Sequence, residues 1–266
     1  MIKVDGKKIA KKIINELKKK PAPKKILAAI LVGNDKASLA FLGRKEKIAQ
    51  ELGIEFYLHQ LDESISQKEL EDYVRRISDD NRVGGIIVQL PLPEKFDREK
   101  VLAVLDLKKD VDALSLDSPV EAPVIGVVKV ILEDLGINII NKKIVVVGKG
   151  LLIGRPVINW LSQENIQHPT SNIQIKIADS KTKDLKSFLA DSDLVITGVG
   201  KANLIDPSWL KNGAGIIDFG FPPDIETIKP ETLNHLAFYT PTPGGTGPVL
   251  VAILFSNFFR ISNMLY

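Results

Sequence analysis

The sequence predicts an α/β fold in two domains, and three observations carry that expectation. Strand-like apolar runs alternate with helix-like amphipathic runs from end to end, the order that builds parallel sheets covered by helices. The apolar run ending at Val147 delivers Gly148 and Gly150 into a tight turn and Gly154 into the start of a helix. The alternation breaks at Asp110-Val-Asp112, and Ser115 to Pro123 reads as a loop. We therefore place a first, βαβ-built domain over residues 1–121 and a second domain, of the Rossmann type, over 122–247, followed by a C-terminal helix over 248–266.

In chain order, Ile9, Ile13, Ile14 and Leu17 share one helical face among lysines, so Met1 to Lys20 reads as a folded helix. Asp5, Glu16 and the lack of a long apolar core argue against a targeting peptide. Ile26 to Val32 is a buried strand closed by Gly33-Asn34-Asp35, and a helix follows through Gln50, ended by Gly53. Ile54 to Leu61 is a strand, Gln67 to Ile77 a helix, and Gly85 to Leu90 a strand that stops at Pro91-Leu-Pro93. Val124 to Asp134 is helical. Beyond the glycine turn, Ile173 to Ala178, Leu194 to Thr197 and Gly215 to Phe219 are strands, and Gly247 to Tyr266 is a helix with Pro248 in its first turn.

Composition narrows the function. The 266 residues are 44% hydrophobic, enough for real cores, and 36 basic against 33 acidic residues leave a net charge of +3. That balance argues for neither a nucleic-acid groove nor a membrane surface. Lys18-Lys19-Lys20 and Lys24-Lys25 read as the solvated end of the first helix. Without cysteine there is no disulfide, thiol nucleophile or thiolate metal site, and His59, His168 and His235 are scattered, so no metal is expected. The longest apolar run, Pro248 to Phe255, falls short of the roughly 20 residues that span a bilayer, so the chain is expected to be soluble.

Five segments carry chemistry. Gly148, Gly150 and Gly154 form G-x-G-x-x-x-G, one residue longer than the usual dinucleotide fingerprint; glycine admits the phosphates to the backbone and the helix N-terminus attracts them. Phe41 and Lys45 lie four apart, on one helix face: a ring beside an ammonium suits a flat substrate that exchanges protons, or else Lys45 only lays its stem over apolar surface. Gln89 sits at the carboxyl end of a strand, the sheet edge where ligands bind. In Lys109-Asp110-Val-Asp112 a carboxylate either accepts two N–H bonds from a cyclic amidine such as a pterin or caps a turn. Thr240-Pro-Thr-Pro-Gly-Gly-Thr-Gly-Pro248 fixes an irregular backbone that exposes N–H groups.

Together these segments resemble the bifunctional methylenetetrahydrofolate dehydrogenase/cyclohydrolase family, from Val4-Asp-Gly6 to the last helix. The most specific pieces are Val88-Gln-Leu-Pro-Leu-Pro93, Lys109-Asp-Val-Asp112 and Pro243-Gly-Gly-Thr-Gly-Pro248. The resemblance implies two α/β domains flanking a cleft, with the last helix returning to the first domain. It also implies a cytoplasmic homodimer formed through the Rossmann domain and tetrahydrofolate derivatives as ligands. Lys45 is then the catalytic lysine, Gln89 its support and Asp112 the pterin anchor. Phe41, Pro243, Gly244 and Gly245 meet the substrate; Gly148, Lys149, Gly150, Ile153, Gly154, Ser180 and Thr182 meet the cofactor. The expected reactions are oxidation of 5,10-methylenetetrahydrofolate and hydrolysis of the methenyl product to 10-formyltetrahydrofolate.

The chain departs from that family in places that touch the site more than the fold. Phe41 stands where the family has tyrosine, and Lys149-Gly150 where it has arginine-serine. The loop after Asp112 is short, and the family's Thr-Pro before the linking helix reads Pro123-Val124. The Gly-Asp-Val segment before the last strand is missing, with Phe221-Pro-Pro-Asp-Ile225 in its neighbourhood. For the cofactor, Lys149, Ser180 and Lys181 favour the 2′-phosphate of NADP, while Asp179 favours the free ribose of NAD; the balance points to NADP, with NAD as the alternative. Two other readings are a binding homologue that has lost one or both activities and a different Rossmann dehydrogenase, such as one for shikimate-like acids. The latter leaves the Gln-Leu-Pro-Leu-Pro and Pro-Gly-Gly-Thr-Gly-Pro segments unexplained.

Overall fold

The structure is a computed structural model, described over residues 1–115, 117–225 and 230–264. In chain order the elements begin with β1 (Ile2–Lys3), α1 (Gly6–Lys18), β2 (Ile26–Val32), α2 (Lys36–Glu51), β3 (Phe56–Leu61), α3 (Gln67–Asp79), β4 (Val83–Val88) and α4 (Arg98–Ala103). There follow α5 (Pro123–Asp134), β5 (Lys143–Val147), α6 (Gly154–Gln167), β6 (Gln174–Ala178), α7 (Leu185–Leu189) and β7 (Leu194–Thr197). Then come β8 (Gly215–Asp218), β9 (Phe238–Tyr239) and α8 (Thr246–Met264). They group into two compact units, Lys12–Pro123 with Val251–Tyr266, and Met1–Lys11 with Val124–Leu250.

Among the described residues the first unit carries a three-stranded parallel sheet in the order β3-β2-β4. The central strand β2, Ile-Leu-Ala-Ala-Ile-Leu-Val, is buried from Leu27 onward, which is why its apolar run is continuous and not alternating. α2 starts where the Asp35 carboxylate accepts from Ser38 N at 2.7 Å, and α3 where Ser66 and Glu69 cap each other's backbone N–H. α8 closes this core: Phe255 and Phe258 are fully buried, and a Cβ at Gly85 would lie 2.6 Å from the Phe258 ring. Asn257 Nδ2 donates to Val111 O at 3.0 Å and Glu121 O at 2.9 Å, tying α8 to the segment that carries the Asp110–Asp112 turn.

The second unit is a six-stranded parallel sheet, among the described residues, in the order β1-β9-β8-β7-β5-β6. From β5 the chain runs outward to β6 and then back to β7 on the other side of β5. That reversal opens a crevice at the carboxyl ends of β5 and β7, where open α/β sheets bind ligands.

Several expectations are corrected. The N-terminus opens with β1, paired in parallel with β9, so residues 1–11 belong with the dinucleotide-type sheet instead of with a first domain over 1–121. Two-residue strands hold too little pattern to be read from sequence. The expected strand at Gly85 begins two residues earlier, because Gly84 and Gly85 lie inside β4, where Lys25 and Phe258 press on them. Pro123 opens α5 in place of ending a loop, using proline's fitness for a first helical turn. α4 and α7 were not anticipated. α8 is long and apolar enough by itself to cross a membrane, yet most of it is buried in the fold; Leu265 and Tyr266 of the expected helix over 248–266 lie outside the described residues.

Candidate active site

α2 places Phe41 and Lys45 on one face, with Lys45 Nζ 4.9 Å from the ring centroid of Phe41. Lys45 is 3% exposed. Burial drives its pKa below the ordinary lysine value, and the Asp112 charge opposes that shift in part. Asp112 responds as the partner: burial raises its carboxyl and the Lys45 ammonium pulls it back. The two shifts run toward each other, Lys45 downward and Asp112 upward, which favours a lysine able to exchange a proton.

Gln89 follows β4, its backbone N–H still bonded to Ile30 O at 2.9 Å. Its side chain is buried; Nε2 donates to Leu90 O at 2.7 Å, and Oε1 has no partner. The support expected of Gln89 for Lys45 is not a direct hydrogen bond, since the amide donor goes to the Leu90 carbonyl and Oε1 receives nothing. What remains is a buried acceptor, costly to leave unsatisfied and suited to a ligand's donor.

Of the two carboxylates in Lys109-Asp110-Val-Asp112, Asp110 is the one that caps a turn. A parallel bridge between Ile86 and Asp110 lays this segment beside β4. Asp110 Oδ2 accepts from Leu114 N at 2.7 Å and Ser115 N at 3.2 Å, which closes the turn that presents Asp112. Burial, reinforced by the charge of Asp112, pushes its carboxyl up to about 6. The Asp-x-Asp spacing was the available signal, but nothing in it says which carboxylate hooks the turn. Lys109, by contrast, is structural: its Nζ donates to Ser78 O and to Asp80 O, the latter at 2.9 Å.

In the other unit the Pro243-Gly244-Gly245 loop is set by close backbone packing. Gly244 has φ +100°, and a Cβ on Gly6 would fall 1.7 Å from Gly245 O, which explains the Asp5-Gly6 pair at the start of α1. Thr246 Oγ1 donates to Asp218 O at 2.9 Å, tying the first residue of α8 to β8. Two buried aspartates organise the adjoining loops. Asp224 accepts from Thr197 Oγ1 at 2.6 Å, Val199 N at 2.7 Å and Lys201 N at 2.8 Å; Asp218, raised to about 6 by burial, accepts from Gly220 N at 2.6 Å and Ile225 N at 3.0 Å. Asp224 lies in the Phe221-Pro-Pro-Asp-Ile225 segment, and only its bonds reveal its role.

At the crevice, Gly148 N donates to Ala178 O at 2.8 Å, and a Cβ on Gly154 would fall 2.1 Å from Gly148 O. A Cβ on Gly150 would meet open space, and Ile153, at the cap of α6, makes no side-chain cap bond, so the helix N-terminus is left to other acceptors. Ile153 itself packs against Gly198 at the end of β7. These features fit a dinucleotide pyrophosphate. Lys149 and Asp179, read separately from sequence, pair with each other at 2.7 Å. Thr182 is engaged in the turn: Asp179 N donates to its Oγ1 at 3.0 Å and its own N donates to Asp179 O at 2.9 Å, while Ser180 is exposed.

Comparison with known proteins decides the family. Residues 4–112 match the catalytic domain of the tetrahydrofolate dehydrogenase/cyclohydrolase family and residues 122–265 its NAD(P)-binding domain. The chain belongs to this family. The bifunctional protein FolD of Agathobacter rectalis is 34% identical over 276 residues, covering 96% of each chain. The crystal structure of the FolD methylenetetrahydrofolate dehydrogenase/cyclohydrolase from Campylobacter jejuni is similar with a TM-score of 0.87 at 29% identity, covering 98% of each chain. That of the Trypanosoma brucei enzyme, complexed with NADP and an inhibitor, gives 0.89 at 26% identity, covering 99% of this chain and 97% of that one. Membership sets aside a dehydrogenase of shikimate-like acids.

Proposed function

We propose that the chain oxidises 5,10-methylenetetrahydrofolate to the 5,10-methenyl form with NADP and hydrolyses that product to 10-formyltetrahydrofolate, a one-carbon donor of the kind purine biosynthesis consumes. The observation that carries the reading is Lys45, buried against Phe41 and coupled electrostatically to Asp112. Bound NADP supplies the hydride acceptor; Gly148, Lys149, Gly150, Ile153 and Gly154 would hold it, with Ser180 and Thr182 at the ribose end. Hydride transfer then asks the protein chiefly for alignment.

Hydrolysis asks for more. Water adds to the cationic methenyl carbon, and neutral Lys45 takes the proton that water loses as its oxygen bonds. The carbinol hydroxyl then gives its proton to solvent as the C=O bond forms and the C–N5 bond breaks, N5 recovers a proton from Lys45, and the carbon stays on N10 as the formyl group; the net reaction consumes one water and releases one proton. A depressed lysine pKa suits both halves, since the amine must be free to accept and its conjugate acid strong enough to give. Phe41 offers its face to the pterin without the hydroxyl of tyrosine. Asp112 anchors the pterin edge and tunes Lys45, and the unpartnered Gln89 Oε1 accepts from substrate. Pro243, Gly244 and Gly245 offer backbone to the substrate.

A spectrophotometric assay of purified protein tests this. Reduction of NADP by methylenetetrahydrofolate and accelerated loss of methenyltetrahydrofolate are expected. Folate binding without either reaction would instead establish the binding homologue. We further infer a cytoplasmic homodimer, on family membership; light scattering that gives a monomer at micromolar concentration contradicts the dimer.

A further inference from the structure

Val147 of β5 and Ala178 of β6 are register partners in adjacent parallel strands, so Lys149 and Asp179 leave the same sheet edge side by side. Their ion pair is held firmly on the acidic side. Asp179 Oδ2 takes the Lys149 ammonium at 2.7 Å and Oδ1 takes Lys181 N–H at 2.9 Å, while Thr182 closes the turn beneath. The carboxylate is thus fixed by backbone, and the lysine, 54% exposed, is the movable member. The carboxyl end of the second strand in such a unit is where the substituent on the adenosine ribose is read: a free 2′-hydroxyl by a carboxylate, a 2′-phosphate by cations.

We propose that Asp179 restrains the site's preference for the phosphorylated dinucleotide by serving as an internal counter-ion to Lys149. A 2′-phosphate has to take Lys149 away from Asp179 and then stand beside the carboxylate; an unphosphorylated ribose leaves the pair intact. The chain therefore accepts NAD with a smaller handicap than its cations alone would impose. This inference rests on the NADP reading above. It also gives Lys149 a different meaning from that of a lone phosphate-binding cation, because part of its charge is already answered within the protein.

Isothermal titration of the purified protein with 2′,5′-ADP and with 5′-AMP tests it without turnover. In Asp179→Asn the amide oxygen can still accept from Lys181 N–H, but the charge that holds Lys149 is gone. Binding of 2′,5′-ADP is expected to tighten about fivefold, the scale of one exposed charge pair. Binding of 5′-AMP is expected to change less than about twofold. In a Lys149→Met background the same substitution should give a clearly smaller gain, because no cation is left to release. An unchanged or weaker 2′,5′-ADP affinity in Asp179→Asn overturns the proposal, and so does a gain of equal size without Lys149. If wild-type protein binds neither ligand, the dinucleotide reading fails and the inference falls with it.

Discussion

The Lys45 region and the Lys149 region each set a lysine near an aspartate, and they do so in opposite surroundings. Lys45 is buried, with its pKa pushed down, and Asp112 has its own pushed up. Lys149 is half exposed, and it holds Asp179 below the usual carboxylate range through a direct hydrogen bond. Burial raises the cost of charge and shifts the two proton affinities toward each other; exposure leaves both groups charged and the pair easily exchanged. The first arrangement is suited to moving a proton, the second to trading a counter-ion for a ligand. Nothing in residue type separates them, and only the depth of each lysine does.

The comparison can be broken most severely at Lys45. Lys45→Met should leave the fold intact, because it removes a charge from a buried position while keeping most of the side-chain volume. Methenyl hydrolysis is expected to fall by about a thousandfold, within the range for loss of a proton-transfer group. Binding of 2′,5′-ADP, which reports on the other region, should be unchanged. Wild-type hydrolysis in the variant would show that depth does not confer the role.

At the dinucleotide region the vulnerable element is backbone approach, not a titratable group. Gly154→Ala puts a methyl 2.1 Å from Gly148 O, so the turn or the start of α6 must shift. A stability loss of about 1–3 kcal/mol and at least tenfold weaker 2′,5′-ADP binding are expected, the first by thermal denaturation and the second by titration calorimetry. Unchanged binding would remove the close approach from the site.

A smaller effect tests the buried carboxylates. Asp110 has a folded pKa of about 6, above its ordinary 3.8, so its protonated form is favoured by folding. The stability it contributes is present below pH 4 and is lost as pH rises through 6. Asp110→Asn keeps an acceptor for Leu114 and Ser115 N–H and removes this dependence. The variant should gain on the order of 2 kcal/mol over wild type at pH 7 relative to pH 4. Parallel stability curves for the two proteins across pH 4 to 7 would contradict it.

How much was legible beforehand follows the same division. Continuous apolar runs such as Ile26–Val32 and the glycine spacing around Gly148 gave both sheets and the turn, because burial and close approach leave a mark on residue type. The Phe41–Lys45 face was legible from a spacing of four. Partnerships across the chain were not. The pairing of Lys149 with Asp179 depends on the β5·β6 register, and the hook made by Asp110 depends on which oxygen meets Leu114 N–H. Gln89 was placed at the right edge, yet its donor goes to the neighbouring carbonyl, a local competition that spacing does not reveal. β1 and β9, two residues each, are strands only through their pairing, β1 with β9 and β9 with both β1 and β8.

The central claim is that burial has made Lys45 a usable base, and the pH dependence of methenyl hydrolysis tests it most directly. After subtraction of the uncatalysed rate, kcat for wild-type protein should rise with pH through an inflection well below the ordinary lysine value of about 10.4. Lys45→Arg, whose guanidinium stays charged throughout, should lose that inflection together with most of the rate. An inflection at the same pH in the arginine variant would assign it to another group and contradict the account.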